Sequence, residues 1–226
     1  MVKLGQYSRS VSIIGIGATP FVNSNDDPEY QGITDSELFA SAAISAMEDA
    51  GIEPRDVDFF FHGAANPHMF NSCVTPNMQY AEWLGMRGKA SVHHSEACCT
   101  GYVALEQAVQ AVASGVYDIV LTGGSEMALG MPVTGKPACW RVPITTEVLF
   151  PDLDNIYDRT FSRWLGGGPG VIFDDWMRLY ATENNLTAEQ CDDILNAMAY
   201  HCRRAAALNP LALERTTYDE LASEMG

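Results

Sequence analysis

Four short runs rich in β-branched and aromatic residues, each stopped by glycine or a polar turn, alternate with alanine-rich stretches of helical period. No other feature constrains the fold as much. The runs are residues 10–21 (SVSIIGIGATPF), 56–63 (DVDFFFHG), 90–95 (ASVHHS) and 118–124 (DIVLTGG). Each has the length and residue types of a buried strand. Between the first two, Thr34 stands three residues before Glu37, a capping-box pattern, and opens an amphipathic stretch that ends at Gly51. A short helix is expected over Pro76 to Leu84, and a longer one over Tyr102 to Ala113, closed by Ser114 and Gly115. Strands separated by helices long enough to cross over imply an α/β fold with a mainly parallel sheet covered on both faces.

The regular alternation stops near residue 128. Residues 130–170 carry prolines at 132, 137, 143, 151 and 169, glycines at 166–168, and the aromatics Trp140, Phe150, Tyr157, Phe161 and Trp164. This turn-rich stretch reads as an excursion forming a lid or interface. Two helices are expected after it, over 171–183 and 187–208, the second opened by Thr187 and ended by Asn209 and Pro210. The expected organisation is residues 1–128 as a first domain, 129–208 as a loop and helical excursion, and 209–226 as the start of a connection.

A chain of 226 residues, 47% of them hydrophobic, has enough apolar side chains for a substantial core. Its net charge of -16 argues against nucleic-acid binding, which needs basic patches. No stretch approaches the ~20 apolar residues that span a bilayer, and the first residues (MVKLGQYSRS) lack an apolar leader core. The expectation is a cytoplasmic protein without membrane or nucleic-acid partners. The cysteines stand at 73, 98, 99, 139, 191 and 202, with no CxxC pair, so no metal site is expected.

Among these cysteines, Cys98 has the most distinctive surroundings. It falls where the strand at 90–95 passes into the helix at 102–113, through the sequence EACCTG. Unpaired N–H groups and the positive end of the dipole at a helix start favour a thiolate. Such a turn also projects its side chain at the carboxyl edge of a parallel sheet, where α/β folds bind ligands. Two readings of the residues stand open: an acyl-accepting nucleophile, or a packed structural cysteine beside Cys99. His62, at the end of the 56–63 strand with Asn66 and His68 following, is a candidate substrate-binding residue, with a structural turn as its alternative. His93 and His94 point to opposite faces of their strand and are expected to be packed. Arg141, Arg159 and Arg163 are the cations available in the excursion for an anionic ligand, or else solvated surface charges.

The turn SEACCTGYVA (95–104) resembles the nucleophile turn of thiolases. Residues 113–115 (ASG) followed by 118–127 (DIVLTGGSEM) resemble that family's next strand and loop, and IGIG (14–17) with TPF (19–21) resembles its first strand. Residues 205–210 (AAALNP), with Thr216 and Glu220 beyond, are similar to its sterol-carrier-protein-type branch. The resemblance implies a thiolase-like fold, with a mixed though mainly parallel sheet. It implies an acyl-CoA C-acyltransferase working by thiolytic cleavage of a β-ketoacyl-CoA or the reverse Claisen condensation. Cys98 would then be the acyl carrier, and coenzyme A thioesters the substrates, without a permanently bound cofactor; Arg141 and Arg163 are the substrate-binding candidates for the CoA phosphates. It further implies a homodimer in which the 90–95 strands approach one another, and a possible small zinc-ribbon/OB-fold partner subunit. Two departures stand out. Ser95 and Glu96 replace the family's asparagine context, so Glu96 is expected to face away from Cys98 or meet a basic group. The family's second half, source of an activating histidine, a second cysteine and an Asn-His oxyanion site, is expected from a partner chain or a longer polypeptide, since His201 and Cys202 lie in a helix with surface or core roles. The rival readings are a non-catalytic thiolase-like subunit and a relative of ketosynthases or hydroxymethylglutaryl-CoA synthase.

Overall fold

A computed structural model describes residues 9–22, 27–30, 33–64, 76–126, 129–132, 141–143 and 169–225. Helix α1 spans Asp35–Ala50, and its ends follow from local chemistry. The Thr34 hydroxyl accepts from Glu37 N, and Glu37 returns its carboxylate to Thr34 N at 2.7 Å. That reciprocal bonding satisfies two amide donors that the first turn leaves open. Gly51 ends the helix in the left-handed region at φ 68°, where a side chain would be strained. Replacing Thr34 by alanine is expected to lower the denaturation free energy by about 1 kcal/mol, read as a shifted urea midpoint at unchanged m-value.

Strand β1 (Phe59–Gly63) follows a 3-10 turn at Pro54–Asp56. Helix α2 (Pro76–Trp83), strand β2 (Ala90–His94), helix α3 (Thr100–Ala113) and strand β3 (Val120–Gly124) come next. The three strands form one sheet in the order β2-β1-β3, with both pairings parallel. β1 is therefore central, and its period-2 alternation feeds two cores. Phe60 lies in one core with Phe39 and Met47 of α1, Tyr80 of α2 and Leu84 just after α2. Phe61 packs with Ala104 and Ala108 of α3. The Asp58 carboxylate accepts from Asp118 N (2.9 Å) and Ile119 N (3.1 Å), which ties the start of β3 to the start of β1. The Asp118 amide bond is the main reason its carboxyl group is held below the usual range.

The run at 10–21 corrects an expectation. It forms no strand, and Ile13 and Ile16 are about three-quarters exposed (75% and 74%). Arg9 anchors its start, donating to the carbonyls of Val112 and Tyr117 and to Asp118 Oδ1 (2.8 Å), while Ile16 N donates to Asp49. Side-chain-free Gly15 and Gly17 lie against the α1 backbone, where a Cβ would come within 2.2 Å and 2.1 Å of carbonyl oxygens. A cleft of about 550 Å3 separates this run from β3. Apolar composition marks a segment that can pair, but a strand also needs an adjoining edge.

A short antiparallel pair, β4 (Leu129–Pro132) and β5 (Arg141–Pro143), belongs with this unit. This first unit runs to Pro143, and Ile144 opens the longer stretch of the second. The second unit (Pro20–Asn23 and Ile144–Gly226) contains α4 (Pro169–Glu183), α5 (Ala188–Leu208) and α6 (Tyr218–Met225). Thr187 caps α5 in a second capping box, with Gln190. The Tyr218 hydroxyl bonds Asn196 at 3.2 Å and joins α6 to α5. Among the described residues, no helix is long and apolar enough to cross a membrane.

Candidate active site

All three strands of the sheet run the same way, so their carboxyl ends meet along one edge. Gly63 of β1 stands beside His94 of β2 and Gly124 of β3. From β2 the chain passes through Ser95 and Glu96, both exposed, into a 3-10 turn at Ala97–Cys99, and then into α3. Two bonds close this turn: Cys99 N donates to Glu96 O (3.0 Å), and Glu96 N donates to Thr100 Oγ1 (2.8 Å). Thr100 is buried against β1, and a Cβ on Gly63 would stand 2.7 Å from its Cγ2. Glycine at 63 is thus what lets the turn settle on the strand. Cys98 remains exposed, one residue ahead of the helix cap Cys99, on the turn leading into α3 rather than inside its first turn.

His62 lies one residue short of this edge and is wholly buried. Its Nδ1 is 3.0 Å from His93 Nδ1, and its Nε2 is 3.1 Å from Ser125 Oγ. The ring is packed by Phe39 (4.7 Å between centroids) and Tyr80 (3.9 Å). Burial, reinforced by His93, pushes its pKa down to about 3, so the ring is neutral at physiological pH. Both ring nitrogens are engaged with protein groups and the residue has no open surface. No hydrogen bond joins His62 to Cys98 among the described residues, and the two lie toward opposite faces of the sheet, His62 toward α1 and α2 and the Cys98 turn toward α3. His94 stacks on Phe61 at 5.7 Å, so the histidine pair does divide between the two faces.

Arg141 opens β5. Arg159, Arg163, Asn66 and His68 lie outside the described residues. His201 and Cys202 are exposed on α5. No cluster of three or more His, Cys, Asp or Glu side chains suited to a metal ion occurs among the described residues. Tyr80, Asp35 and the contact Ser125 makes with His62 carry no signal in the sequence. The Tyr80 hydroxyl donates to the buried Asp35 carboxylate, and Tyr80 in turn covers His62. Ser125 follows two glycines at a strand end, but nothing local to it points to a histidine 63 residues earlier.

The sequence profile of the thiolase N-terminal domain matches residues 11–141, more than half of the chain. The chain belongs to the thiolase family. An acetyl-CoA acetyltransferase of Methanocaldococcus jannaschii is 36% identical over 118 residues, covering 52% of this chain and 29% of that protein. An acetyl-CoA acetyltransferase of Methanothermobacter thermautotrophicus is 30% identical over 118 residues, with the same shares of 52% and 29%. A β-ketoacyl-[acyl-carrier-protein] synthase III of Clostridium acetobutylicum is 32% identical over 93 residues, 41% of this chain and 28% of that protein. The chain thus spans a little under a third of the length of these relatives. The sheet, the Cys98 turn, His62 and Ser125 of this thiolase-family chain all fall inside the matched residues, whereas α4, α5, α6 and residues 205–210 fall outside them.

Proposed function

We propose that this chain carries the nucleophile of a thiolase-type acyl-CoA C-acyltransferase. The observation that supports the reading is Cys98: an exposed thiol on a braced turn at the carboxyl edge of a parallel sheet, inside the residues matched to the thiolase N-terminal domain. In the step proposed, the Cys98 thiolate attacks the thioester carbonyl, and the tetrahedral intermediate collapses with loss of coenzyme A as its thiolate. The acyl group stays on sulfur until a carbanion or a second thiol takes it. The amide-rich start of α3 favours the anionic sulfur on which attack depends. Deprotonation of Cys98, an oxyanion site and the acid for the second half-reaction are assigned to the family's C-terminal half, in a homodimer or with a partner subunit in the cytoplasm. Arg141 and Arg163 are proposed to offset the CoA phosphates against the acidic chain.

A second reading has its own support. Both ring nitrogens of the nearby buried His62 are bonded to His93 and Ser125 and not to Cys98, which is compatible with a non-catalytic thiolase-like subunit; the synthase III similarity keeps a ketosynthase-like condensation as a variant of the first reading. Incubation with acetyl-CoA and peptide mass spectrometry separates them. The expected result is one acetyl group on the Cys98 peptide, released by free coenzyme A, absent in Cys98→Ala and retained in Cys99→Ser. Unmodified Cys98 in the intact assembly would leave the subunit reading in place.

A further inference from the structure

Ser125 begins the segment that leaves β3, and two bonds hold it to β1. Its N–H donates to the Gly63 carbonyl at 3.2 Å, and its Oγ meets His62 Nε2 at 3.1 Å. Gly63 is also the residue on which Thr100, two residues past Cys98, is seated. Anything that moves Ser125 relative to β1 therefore moves it relative to the Cys98 turn. The His62 ring continues the chain of contacts to His93 of β2 through paired Nδ1 atoms 3.0 Å apart. One proton fits between two such nitrogens, so one ring donates and the other accepts. The tautomer of His62, and hence the sense of its bond to Ser125, is coupled to that of His93.

A serine, a histidine and a second histidine at these spacings have the outline of a nucleophile, a base and an orienting group. Base strength decides against that use. A general base works best with a pKa near the working pH, whereas burial between Phe39 and Tyr80 lowers that of His62 to about 3, leaving the ring too weak a base to hold a proton taken from serine. What the chain of contacts can do is hold geometry.

We propose that His62 is a positioning residue which, through Ser125 Oγ, fixes the start of the segment after β3 against β1, the strand on which the Cys98 turn is seated through Thr100. His62 and Ser125 thereby set a wall of the acyl-transfer site without touching the acyl group. The inference rests on the acyl-transfer reading for its purpose, though not for its geometry.

The test compares the full chain with Ser125→Ala, His62→Asn and His62→Gln. The Gln amide reaches the Nε2 position and the Asn amide the Nδ1 position, so only Gln can restore the bond to Ser125. Amide hydrogen exchange at Ser125 is expected to quicken at least tenfold in Ser125→Ala and His62→Asn, and to return to within threefold of the parent in His62→Gln. Acetylation of Cys98 by acetyl-CoA is expected to slow about fivefold in the first two and recover in the third. Equal exchange in all four proteins, or rescue by Asn as complete as by Gln, would overturn the inference. So would labelling of Ser125 by a fluorophosphonate, which would make it a nucleophile. If Cys98 of the parent is never acetylated in the intact assembly, the acyl-transfer reading fails while the exchange ranking still decides the positioning role.

Discussion

Alanine at position 124 is expected to cost about 3 kcal/mol of folding free energy, the upper part of the range for overpacked interiors. A Cβ there would stand 2.4 Å from the Gly63 carbonyl oxygen and 3.2 Å from its carbon. Both atoms are backbone, so no rotamer change relieves the contact; β1 and β3 must separate at the edge where Ser125 N reaches Gly63 O. Neighbouring glycines supply the scale. At Gly63 the nearest obstacle is the Thr100 methyl, 2.7 Å away, which is side chain but buried, so the cost there is expected to fall between the extremes. At Gly123 the nearest obstacle is Phe39 Cε2 at 3.4 Å, an ordinary contact. Alanine there is expected to be neutral, or to stabilise slightly by restricting the unfolded chain. Urea denaturation of the three variants checks the order 124, then 63, then 123. Equal stabilities at 123 and 124 would mean that the carboxyl edge is looser than the geometry requires.

Interactions within a few residues of one another were open to sequence reasoning; those made by the register of the sheet were not. Thr34, Glu37 and Gly51 define α1 because the bonds they make reach only three or four positions along the chain. Thr187 and Gln190 do the same for α5. The turn EACCTG could be recognised because a strand end, a small polar pair and a helix start are consecutive. By contrast, His62 meets His93 and Ser125 only because β1 pairs with β2 and β3 in one particular register, His62 opposite both His93 and Gly123. Composition placed His62 near the carboxyl end of a strand, and it lies one residue before the end of β1. It could not say which face the ring takes, and the face makes the difference between touching a ligand and being sealed under Tyr80. The same limit explains residues 10–17: their β-branched character is strand-like, but the partner edge that would make them a strand is separated from them by a cleft.

Acid should destabilise the native protein before its carboxylates titrate, and His62 should be the cause. The titratable groups facing its ring are His93 on β2 and Tyr80 on α2, with the Asp35 carboxylate of α1 reached through the Tyr80 hydroxyl; Ser125 is the remaining polar neighbour. In the unfolded chain a histidine takes up a proton near pH 6.5, whereas in the folded chain His62 does so only near 3. Between those values the unfolded state binds the extra proton, so stability rises with pH and is lost as pH falls. The limiting slope is about 1.4 kcal/mol per pH unit per proton. Glu37 and Asp58, whose pKa values are also held low, lose their contributions in the same direction but at lower pH, because an unfolded carboxyl group protonates only near 4. The window from pH 6.5 to 5 therefore isolates the histidine. Urea titrations at half-unit intervals across it should show the parent losing about 1.6 kcal/mol more than His62→Gln. The slope is the readout, since the substitution also changes the midpoint at neutral pH. Parallel slopes would mean that His62 gains a proton in the folded state as readily as in the unfolded one, and that the ring is less sealed than its packing against Phe39 and Tyr80 indicates.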